Sequence, residues 1–315
     1  VKTVEGWLLG VQVTGCKAVL WVRVAGGRVR LIDAYRPDLY LEPRGVEAEH
    51  LMYLLEEKDD LRDVTVERRA DIRGAAKTVL RVQVESAEKY RRVVSRLEAS
   101  PLVGGVYDVD MSHAQRYLCT RRLIPMGRLV AEVGRRGHVK SIKAQPPDLD
   151  PRPPPLRVLR FEIRWSSGEA LRVLEDEDRR ETPPTRAPIR GLLGSLDEVD
   201  PDIVVCTTRD LSDALRYCRA NRLPRFGAVK DGEAHLWKGR IHVTPGTYET
   251  LGLAGIAERV QYNREDPQTS ADWGSGRAIE SRQCYEARTR GILIPRSGDF
   301  QPVMTLREMV RLDHG

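Results

Sequence analysis

PDLYLEP (37–43), EAEHLMYLLEEKDDL (47–61), DVTVERRA (63–70), KTVLRVQVE (77–85), AEKYRRVVSRLEAS (87–100) and GGVYDVDM (104–111) follow one another in a single ordered run. The first, third, fourth and last read as strands; the second and fifth carry the apolar spacing of amphipathic helices. The order β-α-β-β-α-β is the ferredoxin-like pattern. That pattern serves many functions, so it speaks for fold and not for activity.

Upstream, GWLLGVQV (6–13), AVLWVRV (18–24) and VRLIDAY (29–35) alternate as strands and are separated by glycine-containing turns. Downstream, AQPPDLDPRPPP (144–155) is a proline cluster, which cannot continue a helix or a central strand and reads as a stiff connector. Beyond it, LRVLRFEIRW (156–165) and EALRVLEDED (169–178) pattern as an antiparallel pair. Pro188–Val199 reads as a helix, DIVVCTT (202–208) as a buried strand and DLSDALRYCRANRL (210–223) as a helix. EAHLWKG (233–239) and GRIHVTP (239–245) are expected to form a further hairpin, and AIESRQCYEARTRG (278–291) a helix. Strands paired first and then alternating with helices point to a mixed sheet of the ribonuclease H type. The fold class expected is therefore α/β (α+β). There are no internal repeats.

The chain of 315 residues is long enough for two cores. No apolar run approaches a bilayer span, and VKTVEGWLLGVQV at the N-terminus lacks the pattern of a secretion signal. A cytoplasmic protein without a membrane partner is expected. The five cysteines (Cys16, Cys119, Cys206, Cys218, Cys284) show no CxxC pairing, which fits reduced thiols acting as small core residues and argues against zinc or disulfides.

The net charge is +6. Arg116, Arg121, Arg122, Arg128, Arg135, Arg136, Lys140 and Lys143 face only Glu132 within 115–143, a local net of +7 that exceeds the excess of the whole chain. These eight cations are the candidate nucleic-acid-binding residues; an ordinary solvated surface is the other reading. Aromatic residues make up only 6%, so phosphate contacts should outweigh base stacking.

Five stretches, in the right order, resemble archaeal-type family B DNA polymerases. VYDVDMSHAQRYLCTRRLIPMG (106–127) resembles the segment closing the family's N-terminal domain. LRVLRFEIRW (156–165) and VDPDIVVCTTRDLSDALRY (199–217) sit where its first and second exonuclease motifs lie. GSGRAIESRQCYEARTRGILIP (274–295) resembles the helix leading out of the exonuclease domain, and MTLREMVRLDHG (304–315) the approach to the palm. The resemblance implies a polymerase N-terminal domain at 1–143, a connector at 144–155, a ribonuclease H-like 3′–5′ exonuclease domain at 156–277 and a return segment at 278–315. Palm, fingers and thumb are absent from the sequence given.

A two-metal exonuclease needs a carboxylate cluster holding two ions roughly 3.5–4 Å apart. The family's first motif, Asp-x-Glu, reads here Glu162-Ile163-Arg164, so the second acid has become a cation. Of the second motif Asp213 is retained, but its companion asparagine and aromatic are not. Tyr262 and Asp266 have the spacing of the third motif, but only ten residues separate Asp266 from Gly276; if GTYETLG (246–252) marks that helix, Val243 stands at the aspartate position. The expectation is a site without catalytic residues, metal or cofactor, in which Glu162 and Asp213 are ion-paired acids with Arg164 a natural partner.

The resemblance also implies a degenerate template-uracil pocket at Pro37, Asp38, His113 and Arg116. Two of its positions, Asp38 and His113, depart from the family's aromatics. Arg116 either contacts phosphate or pairs with Asp108 or Asp110. Three readings follow: a non-catalytic DNA-binding module of replication or repair, single- or double-stranded; a divergent metal-dependent 3′–5′ exonuclease; or a scaffold for proteins alone. Possible protein partners are replication proteins or a separate palm subunit.

Overall fold

The computed structural model describes residues 1–145, 155–165, 167, 169–175, 185–230, 233–263 and 276–296. The chain opens as a meander of β1 (Lys2–Thr14), β2 (Lys17–Val24) and β3 (Gly27–Ala34), joined by two-residue turns. Gly15 supplies a positive φ of 60° in the first turn.

A complete second unit is inserted before this sheet is finished. It comprises β4 (Asp38–Pro43), α1 (Ala48–Glu56), β5 (Leu61–Ala70), β6 (Ala76–Val84), α2 (Ala87–Glu98) and β7 (Val103–Tyr107). The strands lie in the order β5-β6-β4-β7, and every pairing is antiparallel. Ser86 caps α2, its hydroxyl accepting from the Lys89 amide. The inward faces of both helices, with Leu51, Leu55, Tyr90, Val93 and Leu97, cover Leu39, Leu41, Leu80 and Val82 of the sheet.

The chain then forms α3 (His113–Arg121), capped by Ser112 and ended by Arg122 in the left-handed conformation. It returns to the first sheet as β8 (Arg128–Val133) and β9 (Val139–Ala144). The order is β3-β2-β1-β8-β9, and the outer strands meet where Ile32 bridges His138. The sheet therefore curls on itself into a barrel. Gly137 permits the closure: its φ is 79°, and a Cβ there would lie 2.7 Å from the Arg30 carbonyl. Leu8, Leu20, Val22, Leu31 and Leu129 pack together in its core.

The last sheet uses β10 (Val158–Arg164), β11 (Glu169–Glu175), β12 (Thr185–Pro188), β13 (Ile203–Val205) and β16 (Ile241–Val243), ordered β12-β11-β10-β13-β16. The three strands from β12 to β10 pair antiparallel, and β13 and β16 add in parallel. Helices α4 (Ile189–Val199) and α5 (Thr208–Ala220) bury Leu193, Leu196, Leu211 and Leu215 against Leu159, Phe161 and Ile163. Between α5 and β16 lies a separate hairpin, β14 (Gly227–Lys230) with β15 (Glu233–Leu236). Helix α6 (Pro245–Asn263) is broken at Gly252, and α7 (Gly276–Thr289) runs back to the barrel.

The hairpin expected between EAHLWKG and GRIHVTP does not form. EAHL pairs with the preceding GAVK, and IHV joins β13 in parallel. The turn between them carries Lys238 and Gly239 at positive φ, and Gly239 is pressed against Trp21 of the barrel. Ile241 and Val243 bury their side chains in the large sheet, which two apolar residues in a lone hairpin could not do. Cys16 also departs from expectation: it is exposed in the β1–β2 turn, whereas Cys119, Cys206 and Cys218 are buried, Cys284 is half-buried, and all five are free thiols.

Barrel and large sheet share apolar packing. Leu9 and Met126 join Val158, Ile203, Val205, Ile241, Val243, Tyr248 and Ile256 in one cluster. Beside it, Arg28 donates to Asp202 at 2.7 Å and to the Pro201 and Lys238 carbonyls, while Arg23 lies 3.5 Å from Asp202 and Arg240 3.2 Å from Asp200. Burial lowers the Arg28 pKa, and Asp202 and Asp200 work against that shift.

Candidate nucleic-acid interface

Strand alternation puts Leu159, Phe161 and Ile163 of β10 inside and leaves Glu162 and Arg164 on the other face. Their side chains are 61% and 58% exposed and make an ion pair at 3.7 Å. The neighbouring Arg160 lies over Tyr248 and 3.5 Å from Glu249 of α6. Asp213 projects from α5, where Arg216 donates to it at 3.1 Å and Arg209 stands 3.7 Å away. No described contact joins Asp213 to Glu162 or Arg164. Among the described residues there is no group of three or more His, Cys, Asp and Glu that could hold a metal ion. Val243 is buried in the apolar cluster at the end of β16. Asp266 lies outside the described residues.

Pro37, Asp38, His113 and Arg116 are brought together as a filled polar core. Arg116 is wholly buried, and its guanidinium donates to the carbonyls of Asp38 (2.9 Å), Asp108, Val109 (3.3 Å) and Met111 (2.8 Å). It stacks 4.6 Å above the ring of Tyr90, which meets His113 edge-on at 5.0 Å. Asp38 accepts from Arg81 at 2.7 Å and from Arg288 of α7. Arg288 also donates to Asp108 at 2.5 Å, and Asp108 accepts the Ile294 amide at 2.8 Å.

The electrostatics follow from this packing. Burial works to raise the Asp38 pKa, but Arg288 and Arg81 outweigh it and hold the carboxyl below its usual value. For Asp108 burial wins and the pKa rises despite Arg288. His113 is pushed down to about 4 by burial and by the Arg116 charge. Arg116 thus faces carbonyl oxygens of its own fold and is not presented to a phosphate.

The rest of the basic run divides in two. Arg121 is held at 2.8 Å by buried Asp33, which also accepts the Tyr117 hydroxyl at 2.9 Å. Arg128 pairs with Glu5 at 2.5 Å and lies over Trp7. Arg122, Arg135, Arg136, Lys140 and Lys143 are exposed and have no ion-pair partner among the described residues. Four of these five crowd the β8–β9 turn and strand β9, at the closing edge of the barrel.

Sequence reasoning passed over two exposed tryptophans. Trp165, 38% exposed, directly follows β10, its ring 5.8 Å from that of Tyr217 on α5. Trp237, 41% exposed, carries Arg225 5.7 Å above its ring. Low overall aromatic content hid the Trp165–Tyr217 pair, whose members are separated by 52 positions. Continuing the inward alternation of 159, 161 and 163 by one step would have put Trp165 on the α5 side.

No protein-family model matches this chain, and no curated protein matches it. Among solved structures, the family B DNA polymerase from the hyperthermophilic archaeon Pyrobaculum calidifontis is similar, with a TM-score of 0.73 and 18% sequence identity. The match covers 95% of this chain and 52% of that one, so the chain spans about half the length of the polymerase. At that identity the likeness speaks for the fold alone. The chain has a mixed α/β fold related to the N-terminal and exonuclease region of a family B DNA polymerase.

Proposed function

We propose that the chain is a non-catalytic, nucleic-acid-binding portion of a family B DNA polymerase relative, acting in DNA replication or repair. The observation that carries this reading is Arg164. A guanidinium stands beside Glu162 on the open face of β10, at the position where the resemblance calls for the second acid of a two-metal pair. It has no lone pair for Mg²⁺ and supplies a fixed positive charge in place of one. Asp213 is engaged by two arginines of its own helix.

In this reading residues 1–143 are the polymerase-type N-terminal domain, and the order β5-β6-β4-β7 is ferredoxin-like. Residues 156–277 are a ribonuclease H-like domain, supported by three antiparallel strands followed by two parallel ones. The segment 144–155 connects them, and 278–315 leads back out. DNA lies along the exposed cations Arg135, Arg136, Lys140 and Lys143, with Arg122 nearby in sequence. A replication protein or a separate palm subunit is the accompanying protein partner.

The test is a salt titration of DNA affinity. Log K should fall with log salt by about 0.9 per phosphate neutralised on duplex, or about 0.7 on single strands. Arg135→Glu with Arg136→Glu should weaken binding to all sequences and flatten the slope by roughly one to two units. An unchanged slope removes this turn from the interface. Digestion of an end-labelled strand by the unmodified chain in Mg²⁺ would instead make it an exonuclease.

A further inference from the structure

A cavity of about 290 Å³ opens where the barrel meets the inserted unit, lined in part by Tyr35, Arg36, Arg81, Gln83, Thr120 and Arg121. None of its eight lining residues is acidic, although three carry guanidinium groups. Two carboxylates stand behind the wall. Asp38, 2% exposed, accepts from Nε of Arg81, and Asp33, 4% exposed, accepts from Nε of Arg121. Each acid fixes its arginine through Nε; Arg121 also interacts with the Tyr117 hydroxyl, and the Nη groups of Arg81 have no hydrogen-bond partner among the described residues.

Arg36 is exposed and has no partner at all among the described residues. Exposed Lys17 is the cross-strand neighbour of Ala34, which also lines the cavity. Tyr35 is buried in its wall, and its hydroxyl has no hydrogen-bond partner among the described residues. A concave surface with oriented, forked donors and no carboxylate of its own suits a tetrahedral oxyanion.

We infer that this cavity binds a phosphate group, supplied by a free nucleotide or by the 5′-phosphorylated end of a strand. Arg81 and Arg121 are the oriented donors, and Arg36 closes over the bound anion. At about 290 Å³ the cavity lies at the lower edge of small-molecule sites, which begin at about 300 Å³. The inference goes beyond the nucleic-acid reading and does not depend on the cations of β9.

Calorimetric titration of the full chain with inorganic pyrophosphate and with dAMP reads the free source. Anisotropy with a 5′-phosphorylated single-stranded oligonucleotide and its 5′-hydroxyl twin reads the strand end. Arg36→Ala should weaken binding of a phosphate ligand about tenfold, the scale of one lost charged hydrogen bond. The melting temperature should hold, and Arg36→Lys should retain part of the affinity. If only the 5′-phosphorylated oligonucleotide shows this dependence, the ligand is a strand end; if pyrophosphate and dAMP show it, the ligand is a free nucleotide. Absence of Arg36-dependent binding in every titration overturns the assignment. So does loss of pyrophosphate binding in the Arg135→Glu, Arg136→Glu chain, which would put the phosphate on that turn.

Discussion

Replacing Arg288 by Met should do more damage than any surface change in this chain. Arg288 is 7% exposed and bridges Asp38 and Asp108, themselves 2% and 1% exposed. Removing it keeps most of the side-chain volume but leaves two buried carboxylates with weakened compensation. Asp38 retains Arg81; Asp108 retains the Ile294 amide and the more distant Arg116 charge. Breaking a buried ion pair from one side typically costs about 3–5 kcal/mol. The deficit should depend on pH. The Asp108 pKa is already raised by burial and rises further without Arg288, so its folded-state value lies above the unfolded one. Such a group is protonated in the folded chain at low pH without penalty, and the penalty grows as pH rises through the folded pKa. Urea unfolding followed by tryptophan fluorescence at pH 8 and pH 4.5 should therefore show the larger loss at pH 8. Adding Asp108→Asn should recover part of the loss at pH 8. A deficit below about 1 kcal/mol, the scale of surface ion pairs, or one independent of pH, would refute the reasoning.

Acid sensitivity has a second source. His113 titrates near 4 in the folded chain, below its unfolded value, so its contribution to stability is full above about pH 6.5 and is lost as pH falls toward 4; His113→Phe should remove that part of the pH profile in thermal melts. Leu9→Ala, at a fully buried position between barrel and large sheet, should cost about 2–5 kcal/mol in urea unfolding. Gly137→Ala forces a Cβ onto the Arg30 carbonyl at positive φ and should destabilise by more than about 1 kcal/mol in the same assay. Arg164→Glu alone should not yield digestion of labelled single strands, because Asp213 stays bound to Arg209 and Arg216; appreciable digestion would mean that a third carboxylate, with Asp266 the first suspect, completes the site.

The strand and helix order of residues 37–111 is legible because each element carries its own period and buries one face within its own unit. IHV (241–243) is not, because two apolar residues flanking a histidine soon after a glycine fit a hairpin arm as well as a parallel strand. The choice is made by β13, nearly forty positions upstream. The basic run shows the same limit in electrostatic form. A count of cations cannot see Asp33, 88 positions before Arg121, or tell that Arg116 spends its donors on carbonyls. Likewise, Asp38 reads locally as a misfit in an aromatic pocket. Its main counter-charge, Arg288, lies 250 positions away and enters only with the returning helix.

Barrel closure has a consequence for how the protein is made. Strand β1 is complete within the first fourteen residues, yet the edge it shares with β8 pairs Lys2 with Val133. Synthesis at about 5–20 residues per second leaves that edge without its partner for roughly 6–24 s while the inserted unit and the residues up to β8 are translated. Throughout that interval the nascent meander shows an apolar strand rim of the kind that recruits other chains. The inserted unit, whose pairings are all local to residues 38–107, can fold first and bring its two ends together, since Tyr40 pairs with Tyr107. Mutations that slow that unit should therefore surface as aggregation during expression, even where the finished protein is as stable as before.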